Sequence, residues 1–510
     1  MTATGWDLIV VGAGSSGAAL AARAAAKGRR VLLLEAGPDY RSADMHEAWR
    51  SPNPVKALMD PAAVDGMVWA GLDASRTDKQ APGPYWRGRG AGGSSAVNGQ
   101  IAIRPPMEDY ADWGLPGWAP ADVLPYFAAL ENDLEYGDAG YHGRSGPTPI
   151  FRTAKEHWGP VDAVLAAEAI AAGYGWAPDV NAPGATGTSP YPINSRDGRR
   201  VTVNDAYLEP ARGLPNLTIR GGALVDRVLF TGDRAVGVAV LDGDRELILH
   251  ADEVVLSAGV IHSPAILLRS GIGPAAQLRG FDIGVRQDLP VGQGLQDHPM
   301  VGVSLPLVAP AAGRGVDDRH TNVCVRYTSD PRGPVNDMMF VAMNRNVLAM
   351  ASADPGLPSG AFGVWVNQAH SRGVLTLASR DPRVHPEVRE RMLSDERDLS
   401  RLRDGVRRLV ELARGPRASA IRQGSLEEHN RELFAVLDDD GELGDFLLAT
   451  AVDAQHGTST CRMGAVVGPD CRVLGVESLR VVDASIFPSV PRANTNLAAI
   501  MTGELMADRL

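Results

Sequence analysis

The stretch that decides the fold is Asp7-Leu8-Ile9-Val10-Val11-Gly12-Ala13-Gly14-Ser15-Ser16-Gly17. Its apolar first half predicts a buried strand, and the alanine-rich residues 18–26 that follow predict a helix. Residues 31–34, Val-Leu-Leu-Leu, predict a second buried strand. Strand, helix and strand in this order form a βαβ unit, and the glycines lie in its first turn.

This turn has the spacing of a dinucleotide-binding loop. At Gly12, Gly14 and Gly17 the missing side chains allow a tight turn, close approach of a pyrophosphate and close helix packing. Glu35 ends the second predicted strand, where a carboxylate can accept hydrogen bonds from ribose hydroxyls of FAD or NAD alike. No second motif of this kind occurs, since residues 270–273 only approach it. Its absence disfavours a reductase that binds two nucleotides.

Composition and charge exclude several classes of protein. The 510 residues carry a net charge of -11, and the isoelectric point is near 5.5. The electrostatic field of this negative charge repels phosphate backbones and anionic membranes, so we expect no nucleic-acid partner. No run of about 18 apolar residues and no secretory signal pattern occurs, so we expect a cytoplasmic protein without a membrane span.

The cysteines favour a reducing compartment and no metal site. Only Cys324, Cys461 and Cys471 occur, too few for a disulfide framework and without the spacing of metal ligands. We expect buried free thiols rather than a pair between Cys461 and Cys471.

The rest of the chain divides into regions that differ in composition and in hydrophobic periodicity. Residues 38–85 are rich in Pro, Asp and Met without periodicity, which predicts a long loop or lid. Residues 217–220, 225–230 and 235–241 alternate like antiparallel strands, and residues 253–256 predict another buried strand. Residues 300–440 indicate a separate lobe, with a strand at Gly363–Val366 and a charged helix from Ser394 to Ala413.

Several further segments carry a family resemblance. Residues 87–99 read RGRGAGGSSAVNG, and residues 257–264 read SAGVIHSP ahead of Ser270-Gly271-Ile272-Gly273. VGQGLQDHP follows at 291–299, and the C-terminal part adds His456, TCRMG at 460–464, VVDASIFP at 481–488 and Asn494-Thr495-Asn496. In this order the segments resemble the signatures of the glucose-methanol-choline (GMC) oxidoreductases. The part left mainly unmatched is residues 300–440.

The resemblance implies an α/β fold with a Rossmann-like FAD-binding domain and a discontinuous α+β substrate-binding domain. The FAD-binding domain would comprise residues 1–155, 190–300 and 445–510, and the substrate-binding domain residues 156–189 and 301–444. Covalently flavinylated members carry a histidine within the stretch that corresponds to Gly92–Asn98, and this chain has none there. The resemblance therefore implies non-covalent FAD.

The cofactor residues follow from the glycine turn and from the family segments. Asn98 would lie near the flavin ring, Asp483 near the ribityl-pyrophosphate and Val225 near the adenine. The complete predicted set is Gly12, Gly14, Ser15, Ser16, Gly17, Glu35, Ala36, Arg89, Gly92, Gly93, Ser94, Asn98, Gly99, Val225, Ala258, Gly259, Asp483, Ala484, Asn494, Thr495 and Asn496.

Alcohol oxidation, the activity that the resemblance implies, removes a proton from oxygen and a hydride from carbon. The flavin accepts the hydride, and a histidine can take the proton near neutral pH. By resemblance His456 is this base, Asn494 orients the substrate oxygen, and the dipole of a helix beginning after an Asn496 cap favours reduced flavin. We expect Trp365, Asn367 and Gln455 in the pocket wall, and we expect His262 and His298 to be structural.

Two rival functions stay open at this stage. Hydroxynitrile lyases share this fold and use a comparable histidine without redox change. A flavoprotein that transfers electrons, acting on a peptide-derived cofactor such as mycofactocin, is the second rival. For the leading hypothesis we expect a small-molecule alcohol as substrate, oxygen or a quinone-like or dye-like molecule as acceptor, and a monomer or homodimer.

Overall fold

The computed structural model describes residues 5–243, 245–313, 315, 318–347 and 359–510. A seven-stranded sheet carries the N-terminal βαβ unit. Its strands run in the order Leu217–Arg220, Val31–Leu34, Trp6–Val11, Arg245–Leu256, Arg234–Asp242 and Leu224–Thr231, and Leu479–Val481 also pairs with Arg245–Leu256. The first four strands in this order run parallel to one another. Ile9 lies opposite both Leu32 and Val254.

A second, six-stranded antiparallel sheet forms the other large layer. Its order is Val452–Asp453, Pro299–Pro306, Ser359–Val366, Met338–Met343, Val323–Tyr327 and Gly187–Pro190. The amphipathic helix Glu396–Arg414 packs its apolar side on this sheet, and together they bury a core separate from that of the first sheet. The domain boundaries drawn from the sequence remain a prediction.

Smaller sheets connect these two layers. A five-stranded sheet has the order Gln293–Leu295, Gly373–Thr376, Glu387–Arg389, Asp73–Ser75 and Gly83–Pro84. A three-stranded sheet contains Glu131–Asp133, Thr148–Arg152 and Pro192–Ile193, and a hairpin joins Ser195–Arg196 to Arg199–Arg200. The α-helices are Ser15–Ala26, Glu47–Arg50, Val55–Leu58, Pro61–Val64, Met107–Trp113, Pro120–Leu130, Pro160–Ala171, Glu209–Ala211, Gly259–Arg269, Ala275–Gly280, Glu396–Arg414, Pro416–Ile421, Leu426–His429, Arg431–Val436, Asp440–Thr450 and Thr495–Arg509.

The structure bears out most of the predicted elements and corrects three. Residues 217–220 form a strand that is parallel to Val31–Leu34, not antiparallel, because it follows a helical crossover. The segment 38–85 is not a plain loop: it contains three short α-helices, one 3-10 helix and two short strands, each too short to leave a periodic pattern. The last helix begins at Thr495 after Asn494, so Asn496 is not its cap.

Two further expectations are confirmed. Cys324, Cys461 and Cys471 are buried free thiols. Among the helices of the described ranges, none has the length and apolar character needed to cross a bilayer.

Candidate active site

The glycine turn between Trp6–Val11 and Ser15–Ala26 is shaped by close backbone contacts. Gly12 has a φ of +103°, and a Cβ there would lie 2.4 Å from the carbonyl oxygen of Ser257. A Cβ on Gly17 would lie 2.0 Å from the carbonyl oxygen of Gly12. Only glycine is therefore compatible with the turn, and the first N–H groups of the 12-residue helix stay available for an anion.

Glu35 closes the far side of this turn. Its Oε2 accepts the N–H of Ala13 at 2.9 Å, and its Oε1 accepts those of Gly37 and Gly90 at 2.9 and 3.0 Å. Burial raises the pKa of this carboxyl, while the three backbone donors act in the opposite direction. Glu35 thus joins the glycine turn to the segment 87–99, and it also lines the cavity described next.

A cavity of about 920 Å³ extends from the glycine turn to His456. Most of the predicted site residues line it, and the exceptions are Gly17, Arg89, Gly92 and Asn367. Gly17 and Gly92 shape the backbone behind the wall, and the Arg89 guanidinium lies over the Trp69 ring. Asn367 does not form pocket wall, because its amide donates to the carbonyls of Asn336 and Arg492.

The C-terminal helix brings its first residues to the glycine turn. Ser15 Oγ donates to Asn496 Oδ1 at 2.7 Å, and Asn496 Nδ2 donates to Asn194 Oδ1 at 3.2 Å. On the opposite wall, Asn98 Oδ1 accepts from the backbone N–H of Gln100 and from Arg200 Nη1. Asn98 and Asn496 thus add polar groups from distant parts of the chain to the cavity lining.

At the far end of the cavity, two histidines and one asparagine form a chain. Asn494 Nδ2 lies 2.9 Å from His456 Nε2, and His456 Nδ1 lies 3.0 Å from His298 Nδ1. His298 Nε2 lies 3.1 Å from the carbonyl oxygen of Pro491. Asn494 Oδ1 is buried without a hydrogen-bond partner among the described residues.

The partners of this chain determine its tautomers. Because a carbonyl oxygen only accepts, His298 Nε2 carries a proton, and burial lowers the pKa of His298 to about 4, so the ring is neutral. His298 Nδ1 is then an acceptor, and His456 Nδ1 must donate to it. Burial, with smaller contributions from His298 and Arg87, holds the pKa of His456 well below its usual range. His456 Nε2 is therefore unprotonated and accepts the N–H of Asn494 Nδ2 at the cavity.

The residues behind His456 were not identified from the sequence. His298 was expected to be structural, yet it fixes the tautomer of a ring 158 residues away in sequence. Asp297 Oδ1 accepts the backbone N–H groups of His298 and His456 at 2.7 and 2.9 Å. Both residues belong to the segment 291–299 that resembles a family signature, which was the only signal available.

The family models for GMC oxidoreductases match residues 6–300 and 369–503. The chain belongs to the GMC oxidoreductases. It is 36% identical to a 5-(hydroxymethyl)furfural oxidase of Methylovorus sp. (strain MP688), over 100% of this chain and 99% of that protein. It is also 36% identical to an oxygen-dependent choline dehydrogenase of Paraburkholderia phymatum, over 100% of this chain and 93% of that protein.

A solved structure of similar shape agrees with this family membership. Pyridoxine 4-oxidase from Mesorbium loti superposes with a TM-score of 0.89 at 27% identity, covering 99% of each chain. As a GMC oxidoreductase this chain is an enzyme that acts on CH–OH groups, and the cavity above is its candidate active site.

Proposed function

We propose that this GMC oxidoreductase oxidises an alcohol to an aldehyde or ketone, with FAD as the hydride acceptor and His456 as the general base. The observation that carries the proposal is the unprotonated His456 Nε2, which accepts from the Asn494 amide at the end of a cavity that begins at a dinucleotide turn. The oxidised product would leave, and oxygen or a quinone-like acceptor would then restore the enzyme.

The cavity fits the flavin nucleotide that this family uses. Its volume is within the range of about 300–1,000 Å³ that is usual for ligand sites. The glycine turn offers backbone N–H groups for the pyrophosphate, and Asn494 Oδ1 is a buried acceptor without a donor among the described residues. When bound, FAD supplies the two-electron acceptor for the substrate hydride. The segment 92–98 contains no histidine, which supports non-covalent binding.

The protein's own groups handle the proton. The substrate hydroxyl would replace the Asn494 N–H at His456 Nε2 and donate its proton to this atom. The His298 Nδ1 acceptor keeps the His456 ring in the tautomer in which Nε2 is unprotonated. The Asn494 amide would hold the same oxygen, so that the carbinol C–H bond has one orientation in the pocket. His456 and Asn494 would therefore both contact the substrate oxygen.

The lining of the substrate end favours a neutral alcohol. Tyr191, Met300, Val341, Met343 and Trp365 supply apolar and aromatic surface there. Among the described residues that line the cavity, the carboxylates are Glu35 and Asp483, and both lie at the nucleotide end with backbone N–H donors. We therefore infer that the substrate resembles a hydroxymethyl-bearing neutral molecule more than a quaternary ammonium alcohol.

Anaerobic mixing tests this proposal directly. The purified flavoprotein is mixed without oxygen with a panel of neutral primary alcohols, and the flavin absorbance is followed in a stopped-flow instrument. We expect bleaching by at least one alcohol and reoxidation when oxygen or a dye acceptor is added. Cleavage of cyanohydrins without bleaching by any alcohol would instead identify a lyase. Release of intact FAD on acid precipitation checks the non-covalent binding.

A further inference from the structure

Behind the candidate active site lies a closed cluster of three carboxyl groups. Asp297, Glu390 and Asp453 are 2%, 1% and 6% exposed, and an oxygen of each lies within 4.8 Å of the others. They come from three distant parts of the chain. None of the three lines the cavity.

The charges of this cluster do not balance if every carboxyl group is ionised. Arg76 Nε donates to Asp453 Oδ2 at 2.8 Å, and Arg87 Nη2 lies 3.8 Å from Asp297 Oδ2. The Tyr85 hydroxyl, whose ring lies under the Arg87 guanidinium, is neutral because burial raises its pKa well above the usual value. Three carboxylates would thus face two guanidiniums. Leaving one net negative charge in a dry interior is costly, so one more positive charge is required.

The hydrogen bonds indicate which carboxyl group binds a proton and so supplies that positive charge. Asp297 Oδ1 accepts two backbone N–H groups, and Asp453 accepts Arg76 Nε and the N–H of Gln455. Both oxygens of Glu390 lack a hydrogen-bond partner among the described residues, and so does Asp297 Oδ2. A proton on Glu390 would supply a donor for Asp297 Oδ2 and would satisfy both groups.

Asp297 connects this cluster to the reacting histidine. One of its oxygens lies within 4.8 Å of ring nitrogens of both His298 and His456, in addition to the backbone bonds described above. Gly457 follows His456, and a Cβ there would lie 2.7 Å from the Tyr85 hydroxyl and 3.0 Å from Arg87 Nη2. The cluster therefore packs directly against the loop that carries the base.

We propose that Glu390 is a protonated carboxylic acid at neutral pH, donates to Asp297, and so acts as a positioning residue for His456. With Glu390 neutral, Asp297 stays ionised and holds the backbone of both histidines, and its single negative charge stabilises the imidazolium that forms when His456 accepts the substrate proton. The positioning role depends on the proposed function, whereas the protonation state does not.

The electrostatics of the cluster agree with this assignment. Burial, together with Asp453 and Asp297, raises the pKa of Glu390 well above its usual value, and Arg87 and Arg76 only partly oppose this. Burial and Asp453 also raise the pKa of Asp297, but Arg87 and the backbone N–H groups of His456 and His298 lower it, and Glu390 has no such hydrogen-bond donors among the described residues. Within the cluster, Glu390 faces the carboxyl groups of Asp297 and Asp453. The other charged or titratable groups that face the cluster are Arg76, Arg87, Tyr85, His298 and His456.

Infrared spectroscopy of the FAD-bound protein tests the protonation state without any turnover. Protein labelled with 13C at the glutamate carboxyl carbon is compared with unlabelled protein at pH 7. We expect one buried protonated glutamate, whose C=O band shifts with the label and in D2O and is missing in Glu390→Gln. The matched control is Glu168→Gln, since Glu168 is also buried but accepts the N–H of Arg417, and it should keep the band. A wild-type spectrum without a protonated glutamate would overturn the proposal, even if Glu390→Gln failed to fold.

The pH dependence of stability separates a proton from a metal ion. A carboxyl group with a raised pKa in the folded state costs stability as pH rises above its unfolded value of about 4.3. Glutamine cannot ionise, so the variant escapes this loss of stability. The melting temperature of Glu390→Gln minus that of wild type should therefore increase between pH 5 and pH 9. A wild-type melting temperature that depends on Na⁺ or K⁺ at constant ionic strength, and loses this dependence in Glu390→Gln, would show a cation in place of the proton.

The pH profile of flavin reduction tests the positioning role. In wild type, ionisation of Glu390 at alkaline pH places two carboxylates side by side behind His456, and we expect the reduction rate to fall several-fold. Glu390→Gln should keep its rate over the same range. An alkaline loss of rate that is the same in both proteins would overturn the positioning role. If no alcohol reduces the flavin at all, the proposed function fails, while the infrared result still decides whether Glu390 is protonated.

Discussion

The imidazole of His456 is oriented by a second histidine and an asparagine, and its ring makes no hydrogen bond to a carboxylate of the described residues. His298 accepts from Nδ1, and Asn494 donates to Nε2, so both ring nitrogens have assigned roles. The carbonyl of Pro491 places the proton of His298 on Nε2. Because of this, only one assignment of donors and acceptors is possible along the chain of hydrogen bonds. At the scale of single residues, this order leaves His456 Nε2 as a hydrogen-bond acceptor at the cavity.

Replacing His456, the proposed base, should slow flavin reduction much more than it weakens flavin binding. General-base catalysis usually contributes about 10²–10⁴-fold, so His456→Ala should lose a factor in this range in the anaerobic reduction rate. FAD content should stay close to wild type, because the nucleotide end of the cavity is untouched. The matched control is His250→Gln, since His250 is exposed and does not line the cavity. Undiminished reduction by His456→Ala would contradict the assigned role.

Among the secondary-structure elements, the six-stranded sheet decides what the pocket accepts. Met300, Val341 and Trp365 come from three adjacent strands, and Met300 and Met339 both pair with Trp365. The Trp365 ring lies 5.8 Å from that of His456. Alternation along these strands therefore places an apolar face next to the reacting end of the cavity.

A pair of isosteric substrates tests this face. Choline and 3,3-dimethylbutan-1-ol have the same shape, but only choline carries a positive charge. A buried cation without a carboxylate partner costs several kcal/mol, so we expect kcat/KM for choline to be lower by about 10²-fold or more. The same ratio measured on an authentic choline dehydrogenase provides the control. Equal or better turnover of choline by this enzyme would show that the pocket recognises cations.

In the whole molecule, the two ends of the chain assemble the nucleotide site together. The helices Ser15–Ala26 and Thr495–Arg509 pack so closely that a Cβ on Gly503 would lie 2.3 Å from the carbonyl oxygen of Ser16. Glu504 accepts from Arg23 and from the Tyr207 hydroxyl across this contact. The glycine turn and Asn494 can therefore reach their relative positions only when the complete fold has formed.

A buried ion cluster makes the stability of the whole fold depend on pH. His142 contacts Glu131 at 2.7 Å and Asp179 at 2.9 Å, and Arg152 also donates to Asp179. Burial opposes the charged imidazolium, but the hydrogen bonds to Asp179 and Glu131 outweigh it and raise the pKa of His142 to about 9. Because the folded value exceeds the unfolded value of about 6.5, this stabilisation is complete below pH 6.5 and is lost as pH rises through about 9.

We therefore expect His142→Gln to lower the free energy of unfolding by on the order of 2 kcal/mol at pH 6, with a smaller difference at pH 10. Urea unfolding at several pH values measures this difference. The exposed His157→Gln serves as control and should change stability little at either pH. A penalty for His142→Gln that does not change with pH would mean that the imidazole is neutral in the fold.

The sequence by itself determined the βαβ unit, the nucleotide turn and the GMC membership, because these depend on local periodicity and on ordered motifs within short segments. It also led to His456 and Asn494 as candidates. Only the tertiary structure decided that His298 fixes the tautomer of His456, that Asn367 lies outside the pocket, and that Asp297, Glu390 and Asp453 meet behind the base. These relations join residues far apart in the chain, and a buried group acquires its protonation state from neighbours that only folding brings together.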